Sequence, residues 1–284
     1  MARPSAGHAE RQEADISPHR FAGPEPEGAL DQASGRRRPH LVYQPIVRLP
    51  AGPAIGVEAL LRWTNPDPGA VSFARTPSGV PSHLGDWGLA EAAGQAAEWR
   101  RQSPAMRDLV VSVDVSAAQR HDSDVVGQVG TVLAATGLPG SALCLEFGEA
   151  MLLDDPVGGR ALLKRLRRLE VGIAIERFGL DCASLAHLGR LAVTVLKIDA
   201  SLIAGAARPD SADATLLAAM VAMSQRLGMV TVACGVATAA QAARLAELGC
   251  DAGQGDELSP PVAADELPHV VARLAARNRG LASA

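Results

Sequence analysis

The chain has 284 residues, of which 48% are hydrophobic and 3% aromatic, and it carries a formal net charge of −4. The near-neutral charge and the few aromatic side chains argue against nucleic-acid binding, which needs a basic face or stacking platforms. No window reaches the roughly 18 apolar residues of a membrane span, and the N-terminus lacks the apolar core of a signal peptide. We therefore expect a cytoplasmic protein that binds neither nucleic acid nor a membrane.

Three segments follow one another along the chain. Residues 1–39 are rich in Pro, Gly, Ala, Glu and Arg without apolar periodicity, which predicts a disordered N-terminal leader. Residues 40–278 alternate short β-branched runs with longer amphipathic segments, as βα units do, and residues 279–284 form a C-terminal tail. The predicted strands cover 41–48, 54–62, 109–115, 142–148, 171–177, 193–199, 230–236 and 251–257. The predicted helices cover 86–101, 122–136, 157–169, 182–190, 212–227, 239–248 and 264–278.

The spacing of these elements favours a closed barrel. Only a short connection from Pro50 to Pro53 separates the first two strands, so we expect them to pair as an antiparallel hairpin. Helices separate the later strands, which predicts parallel pairing. Eight strands in about 240 residues indicate an α/β fold, a TIM-like (β/α)8 barrel with an antiparallel first hairpin.

Polar residues stand at or near the C-terminal ends of the predicted strands. In a barrel these ends converge on one mouth, where active sites are built. Charged residues at so many strand ends predict a site there. The residues are Glu58, Asp114, Glu146, Glu149, Glu176, Arg177, Lys197, Asp199 and Gln254.

The four cysteines, Cys144, Cys182, Cys234 and Cys250, have neither C-x-x-C spacing nor a secreted context, so we expect reduced thiols. Cys234 is interpreted as a small apolar packing residue, with a soft ligand for zinc as the alternative.

The run Gly56–Trp63 contains Glu58-Ala59-Leu60, and Tyr43-Gln44-Pro45-Ile46 precedes it. These segments resemble the opening motifs of EAL domains, the bacterial phosphodiesterases of cyclic di-GMP, and the resemblance extends over about residues 41–263. It implies an EAL-type barrel whose two-metal site hydrolyses the nucleotide in second-messenger signalling. It also implies nucleotide contacts by Gln44, Leu60, Arg62 and Gln254, with the Arg62 guanidinium on a phosphate.

The later motifs can be followed in order. Val113-Asp114-Val115-Ser116 is similar to V-N-x-S, Glu146-Phe147-Gly148-Glu149 to E-x-T-E, and Val195–Asp199 to V-L-K-I-D. The resemblance implies metal ligation by Glu58, Asp114, Glu146 and Glu176, with Mg²⁺ or Mn²⁺ as the metal if one is bound. It further implies that Lys197 and Asp199 position the attacking water and that Glu149 anchors a mobile loop.

Four positions depart from the family pattern. Arg177 follows Glu176 where the family has D-D-F-G, Cys234 and Ala237 replace the glutamates of A-E-G-V-E, and Asp256 replaces the Tyr of Q-G-Y. The loop 180–185 is altered, and the stretch after Trp63 is short. Arg177 would remove a ligand of the second metal and add a repulsive charge.

These departures favour an EAL-like protein with absent or strongly impaired catalysis that acts as a cyclic di-GMP receptor or a protein-interaction module. One alternative is an active metal-dependent phosphodiesterase that yields pGpG. Another is a partner-binding scaffold that no longer binds the nucleotide and holds no metal. We expect a protein partner, whose identity the sequence leaves open, and a homodimer is also left open.

Overall fold

The computed structural model describes residues 39–63, 81–122, 124–149, 151, 155–178, 189, 191–206 and 210–281. Four segments discussed above lie outside these residues, apart from Pro39 and Gly189. They are the expected leader, the short stretch after Trp63, the altered loop 180–185 and the predicted helix near 182–190. Among the described helices, none has both the length and the apolar character that crossing a membrane requires.

Eight strands and eight α-helices carry the described part of the fold. The strands are β1 (Pro39–Arg48), β2 (Ala54–Trp63), β3 (Val110–Asp114), β4 (Leu143–Gly148), β5 (Gly172–Phe178), β6 (Val195–Ile198), β7 (Val230–Cys234) and β8 (Ala252–Gln254). The helices are α1 (Ser82–Gln102), α2 (Ala117–Asp122), α3 (Val125–Thr136), α4 (Pro156–Arg167), α5 (Ala200–Gly205), α6 (Ala212–Arg226), α7 (Ala239–Glu247) and α8 (Leu267–Leu281).

The strands close into one barrel in chain order, from β1 to β8 and back to β1. β1 is antiparallel to β2, with Gln44 opposite Glu58, and antiparallel to β8. The other six strand pairings of the barrel are parallel. The predicted TIM-like barrel with an antiparallel first hairpin is therefore confirmed.

The helix prediction needs two corrections. The segment predicted as one helix over 122–136 contains the end of α2 and all of α3, which begins only after Asp124. Asp124 is the N-cap of α3, a position where short polar side chains are favoured. The short helix α5 was missed, although its N-cap Asp199, which accepts a hydrogen bond from Ser201 N, is a recognisable start signal.

Alternation along the strands divides the barrel interior into two layers. Val232 belongs to a small apolar cluster against which Val195 and Cys234 pack. Lys197 lies two residues beyond Val195, so it points to the same face of β6 but nearer the C-terminal end of the strand. The sequence thus places an apolar floor inside the barrel and a polar layer above it, toward the mouth.

Candidate functional site

A buried lysine stands at the centre of the polar layer. The Nζ of Lys197 lies 2.6 Å from Glu58 Oε2 and 2.5 Å from Glu146 Oε2. Lys197 is 3% exposed and Glu146 is 1% exposed, so water screens these ion pairs weakly. β2, β4 and β6 each supply one member, and barrel closure brings together residues that are 139 and 51 positions apart.

A pair of glutamines is linked to the Glu58 carboxylate through Gln254. Gln254 Nε2 donates to Glu58 Oε2 at 2.7 Å and lies 3.1 Å from Gln44 Oε1. Gln44 Nε2 in turn donates to the carbonyl oxygen of Ser259 at 3.2 Å. The structure therefore brings Gln44 and Gln254, both predicted at the nucleotide site, into one chain of hydrogen bonds with Glu58. Sequence reasoning missed Ser259, because its contact depends on barrel closure and no local motif marks it.

Three carboxylates at the mouth meet the distance requirement for one metal ion. Ligand oxygens of Glu58, Asp114 and Glu146 all lie within 4.8 Å of one another. Asp114 and Glu146 are direct partners in the β3–β4 register. Glu146 Oε1 is buried and has no hydrogen-bond partner within the described residues, so it retains a lone pair for a ligand. An all-oxygen donor set of this kind fits a hard divalent cation such as Mg²⁺ or Mn²⁺.

The electrostatics of this cluster favour added positive charge. The pKa of Glu146 is raised to about 8: burial is the largest cause, Lys197 opposes it, and the carboxylates of Glu58 and Asp114 add to the rise. Burial would lower the pKa of Lys197, yet Glu146 and Glu58 hold that pKa well above its usual value. Lys197 is therefore a cation whose single charge is shared between two buried carboxylates, and a metal ion would supply the charge that is lacking.

Glu176 stands beside this trio and does not join it. It is half-buried on β5, and its oxygens fall outside the set that meets within 4.8 Å. Burial is the main cause of its raised pKa, followed by the carboxylate of Glu146. Of the four predicted metal ligands, the structure thus brings three together and leaves Glu176 at the edge.

Arg177 occupies an irregular part of β5. Its φ of 54° lies in the left-handed region, and the β5–β6 register shifts between Ile175 and Phe178. The side chain is exposed, and its charge opposes, without reversing, the rise in the pKa of the neighbouring Glu176. A guanidinium cannot ligate a metal, so this position offers none of the oxygens that the trio provides.

The remaining nucleotide-site predictions lie on β2. Arg62 is buried, and its Nη1 donates to the carbonyl oxygen of Leu61 at 3.0 Å. Burial lowers the pKa of Arg62, with Glu58 opposing that effect. Leu60, one of the expected contacts, is half-buried.

Other predicted residues are not among the three whose oxygens meet within 4.8 Å, although Cys234 lies close enough for the charges of Lys197 and Glu58 to act on its thiol. Asp199 caps α5 through Ser201 N, at 2.9 Å from Oδ1. Glu149 is buried immediately after β4. Cys234 is half-buried, and burial raises the pKa of its thiol to about 12, so it remains protonated at neutral pH. Ala237 and Asp256 are exposed.

Comparisons with known proteins point to one family. The family model for the EAL domain matches residues 27–261. The chain is 38% identical over 243 residues to MucR of Pseudomonas aeruginosa, a bifunctional diguanylate cyclase/cyclic di-GMP phosphodiesterase, covering 84% of this chain and 35% of that protein. It is 33% identical over 248 residues to a cyclic di-GMP phosphodiesterase of the same organism, covering 84% of this chain and 41% of that protein. This chain therefore spans well under half the length of either relative.

A solved structure of the PaMucR phosphodiesterase in complex with c-di-GMP superimposes on the barrel with a TM-score of 0.75 and 37% sequence identity. The match covers 81% of this chain and 94% of that chain.

Proposed function

Because the chain belongs to the EAL domain family, we propose that it binds cyclic di-GMP at the barrel mouth, holds one divalent cation there, and hydrolyses the nucleotide slowly or not at all. The protein would then act as a receptor or an interaction module in second-messenger signalling. The observation that carries this proposal is the meeting of Glu58, Asp114 and Glu146 within 4.8 Å, while Arg177 stands next to Glu176 in the sequence.

Each group at the mouth has a task that suits its chemistry. Glu58, Asp114 and Glu146 would hold the cation, which supplies Lewis acidity and lowers the pKa of bound water. Lys197 holds two of these carboxylates in place, at 2.6 and 2.5 Å. Arg62 offers a guanidinium fork for a phosphate. The Gln44–Gln254 pair presents amide groups at the same opening.

The changed positions argue for weak turnover. Removing one well-placed electrostatic catalytic group typically costs about 10²–10³ in rate. Arg177, Cys234 and Ala237 stand where the family pattern has carboxylates, and Glu176 lies outside the trio. Even with strong non-additivity, these changes together predict a small residual rate.

Titration of the purified protein with cyclic di-GMP tests the binding half of the proposal. We expect saturable binding that Arg62→Met weakens about 10- to 100-fold, since a hydrogen bond to a charged group contributes about 1.5–3 kcal/mol. Arg48→Met is the matched control, because Arg48 is exposed at the far end of the same hairpin. A parent protein that fails to bind the nucleotide would contradict the proposal and favour the partner-binding scaffold.

The turnover half is tested by following pGpG with mass-resolved chromatography, at high enzyme concentration with Mg²⁺ and then Mn²⁺. We expect no product above the background of the Glu58→Ala variant. The second candidate function is an active phosphodiesterase, and the surviving trio with Lys197 favours it together with two relatives named as cyclic di-GMP phosphodiesterases. Product that requires metal and disappears in Glu58→Ala would establish that candidate.

A further inference from the structure

The segment that follows β3 is fixed by a reciprocal pair of hydrogen bonds. Ser116 N donates to Gln119 Oε1 at 3.0 Å, and Gln119 N donates to Ser116 Oγ at 3.2 Å. This is a capping box at Ser116, two residues after Asp114, and α2 begins at the next residue, Ala117. The box sets where the chain turns after β3, and it thereby sets the direction from which Asp114 enters the acidic trio.

The side chain of Gln119 reaches beyond its own box. It is 2% exposed, and its Nε2 donates to Asp86 Oδ1 on α1 at 2.9 Å. Its amide therefore bonds the turn through Oε1 and another helix through Nε2. A hydrogen bond to a carboxylate is roughly twice as strong as one between neutral groups. The bond from Gln119 to Asp86 is therefore stronger than the bond between Gln119 and Ser116 N.

Asp86 also bonds a third helix. Its Oδ2 accepts a hydrogen bond from Gln128 Nε2 on α3 at 2.9 Å. The two oxygens of the Asp86 carboxylate thus bond different helices. Oδ1 bonds Gln119 and so holds the turn after Asp114, whereas Oδ2 bonds Gln128 and joins α1 to α3.

The amide of Gln119 lies directly against α1. A Cβ at Gly85 would overlap Gln119 Oε1, so only glycine admits the amide in its present place. A cleft of about 30 Å³ between α1 and the end of β3 is lined by Gly85, Asp114 and Gln119, among others. The hydrogen bonds to Ser116 and Asp86 therefore hold Gln119 in place, and loss of the bond to Asp86 leaves room for the amide and the turn to shift.

We propose that Asp86 is a positioning residue of the mouth: through Gln119 it holds the turn at Ser116 and so keeps the Asp114 carboxylate beside Glu58 and Glu146. The proposal deepens the proposed function and depends on it for the role of Asp114 as a metal ligand. Asp86 itself lies outside the acidic trio and acts only through the hydrogen bonds given above.

Two substitutions at Asp86 separate positioning from charge. Asp86→Ala removes both hydrogen bonds. Asp86→Asn can keep both, because its Oδ1 still accepts from Gln119 and its amide can donate to Gln128 Oε1 after a flip of that side chain. Gln128 Oε1 has no hydrogen-bond partner among the described residues, so it is available for this bond. The asparagine variant should therefore rescue what the alanine variant loses.

Two readouts are measured for each variant: Mn²⁺ affinity by calorimetry, and hydrogen–deuterium exchange of the peptide covering residues 113–122. We expect Asp86→Ala to weaken Mn²⁺ binding about 10-fold or more, as loss of partners that orient metal ligands does. It should also speed exchange at the amides of Ser116 and Gln119. Asp86→Asn should resemble the parent in both measurements. Unchanged Mn²⁺ affinity and exchange in Asp86→Ala would overturn the proposal.

The matched control is Gln128→Met, which removes the other hydrogen bond of the same carboxylate. Gln119→Met removes the acceptor for Ser116 N as well as the donor to Asp86, so it sets the largest effect expected on the turn. Positioning predicts that Asp86→Ala approaches this effect on Mn²⁺ affinity and on exchange at 113–122, whereas Gln128→Met changes neither; a merely structural role predicts equal effects of Asp86→Ala and Gln128→Met. Glu91→Ala, at an exposed site on α1, should change neither. If Asp86→Ala fails to fold, Asp86→Leu, which removes both hydrogen bonds and leaves no cavity, takes its place in the comparison with Asp86→Asn.

The two proposals fail in distinguishable ways. A parent protein that binds no Mn²⁺ contradicts the metal site of the proposed function. Hydrogen–deuterium exchange at residues 113–122 then still tests the link from Asp86 through Gln119 to the turn. Exchange that is faster in Asp86→Ala and Gln119→Met, but not in the other variants, supports the link. Equal exchange in all variants overturns it.

Discussion

At the scale of single residues, Lys197 determines how the mouth tolerates buried charge. Two carboxylates in a low-dielectric interior repel one another, and each carries a desolvation cost. The ammonium group lies within 2.6 Å of both, which offsets part of that cost. A buried ion pair adds little net stability compared with apolar side chains, but removing one partner is strongly destabilising. The lysine is therefore a structural requirement of the acidic site as well as part of it.

Substitution Lys197→Met tests this dependence. We expect a loss of about 3–5 kcal/mol in the free energy of unfolding, because Glu58 and Glu146 would remain buried without their counter-charge. Urea denaturation gives the measurement. Lys164→Met is the control, since Lys164 is exposed on α4 and such surface changes usually stay within about 0.5 kcal/mol. Equal midpoints for the two variants would contradict the role given to Lys197.

At the scale of elements, the chain leaves each strand through a defined turn, and one of these turns admits only glycine. Gly235 follows β7 with a φ of 75°, and a Cβ there would lie 2.5 Å from the Cβ of Ala200 at the start of α5. The turn thus combines a left-handed backbone with close contact between two loops of the mouth. The first requirement comes from the local backbone and the second from tertiary packing.

The variants Gly235→Ala and Gly228→Ala separate these two requirements. Gly228 has a φ of 69°, and no described atom lies within 4 Å of the position that a Cβ would take there. Gly228→Ala should therefore cost only the backbone term of about 1 kcal/mol. Gly235→Ala should cost that amount plus about 1–3 kcal/mol of overpacking. Thermal or urea unfolding measures both, and equal losses would show that the contact with Ala200 relaxes freely.

At the scale of the whole molecule, the barrel assembles a site from strands that are far apart in sequence. The acidic trio comes from β2, β3 and β4, and its counter-charge comes from β6. Each strand contributes one side chain, within the strand in β2 and toward the C-terminal end in β3, β4 and β6, so a change at one strand leaves the others in place. This arrangement allows parts of a site to change while the remainder persists, as we propose for Arg177, Cys234 and Ala237.

Restoring the family pattern tests whether these changes limit metal binding. We expect Arg177→Asp combined with Cys234→Glu and Ala237→Glu to tighten Mn²⁺ binding on the order of tenfold or more, since carboxylate count sets affinity for hard cations. Calorimetry gives the affinity. Arg168→Asp, at an exposed site after α4, makes the same Arg-to-Asp charge change away from the mouth. A triple variant that binds the metal no better than its parent would refute the explanation.

Most of the fold could be predicted from sequence, because strand and helix periods are local properties. All eight predicted strands overlap observed strands, and the short Pro50–Pro53 connection correctly indicated the antiparallel hairpin. Helix boundaries were less certain, as the separation of α2 from α3 shows. The residues of the acidic trio were also identified, since strand ends and family motifs mark Glu58, Asp114 and Glu146 without knowledge of distances.

The sequence by itself determined which side chains face the mouth, because alternation along a strand and the convergence of parallel strands are set by the backbone. Only the tertiary structure decided which of them meet. It brought Lys197 between two carboxylates, left Glu176 at the edge, and used Asp199 as a helix cap. It also joined Asp86 to Gln119 across 33 positions. Such contacts depend on register, side-chain rotamers and barrel closure, which fix distances of a few ångströms that no local pattern encodes.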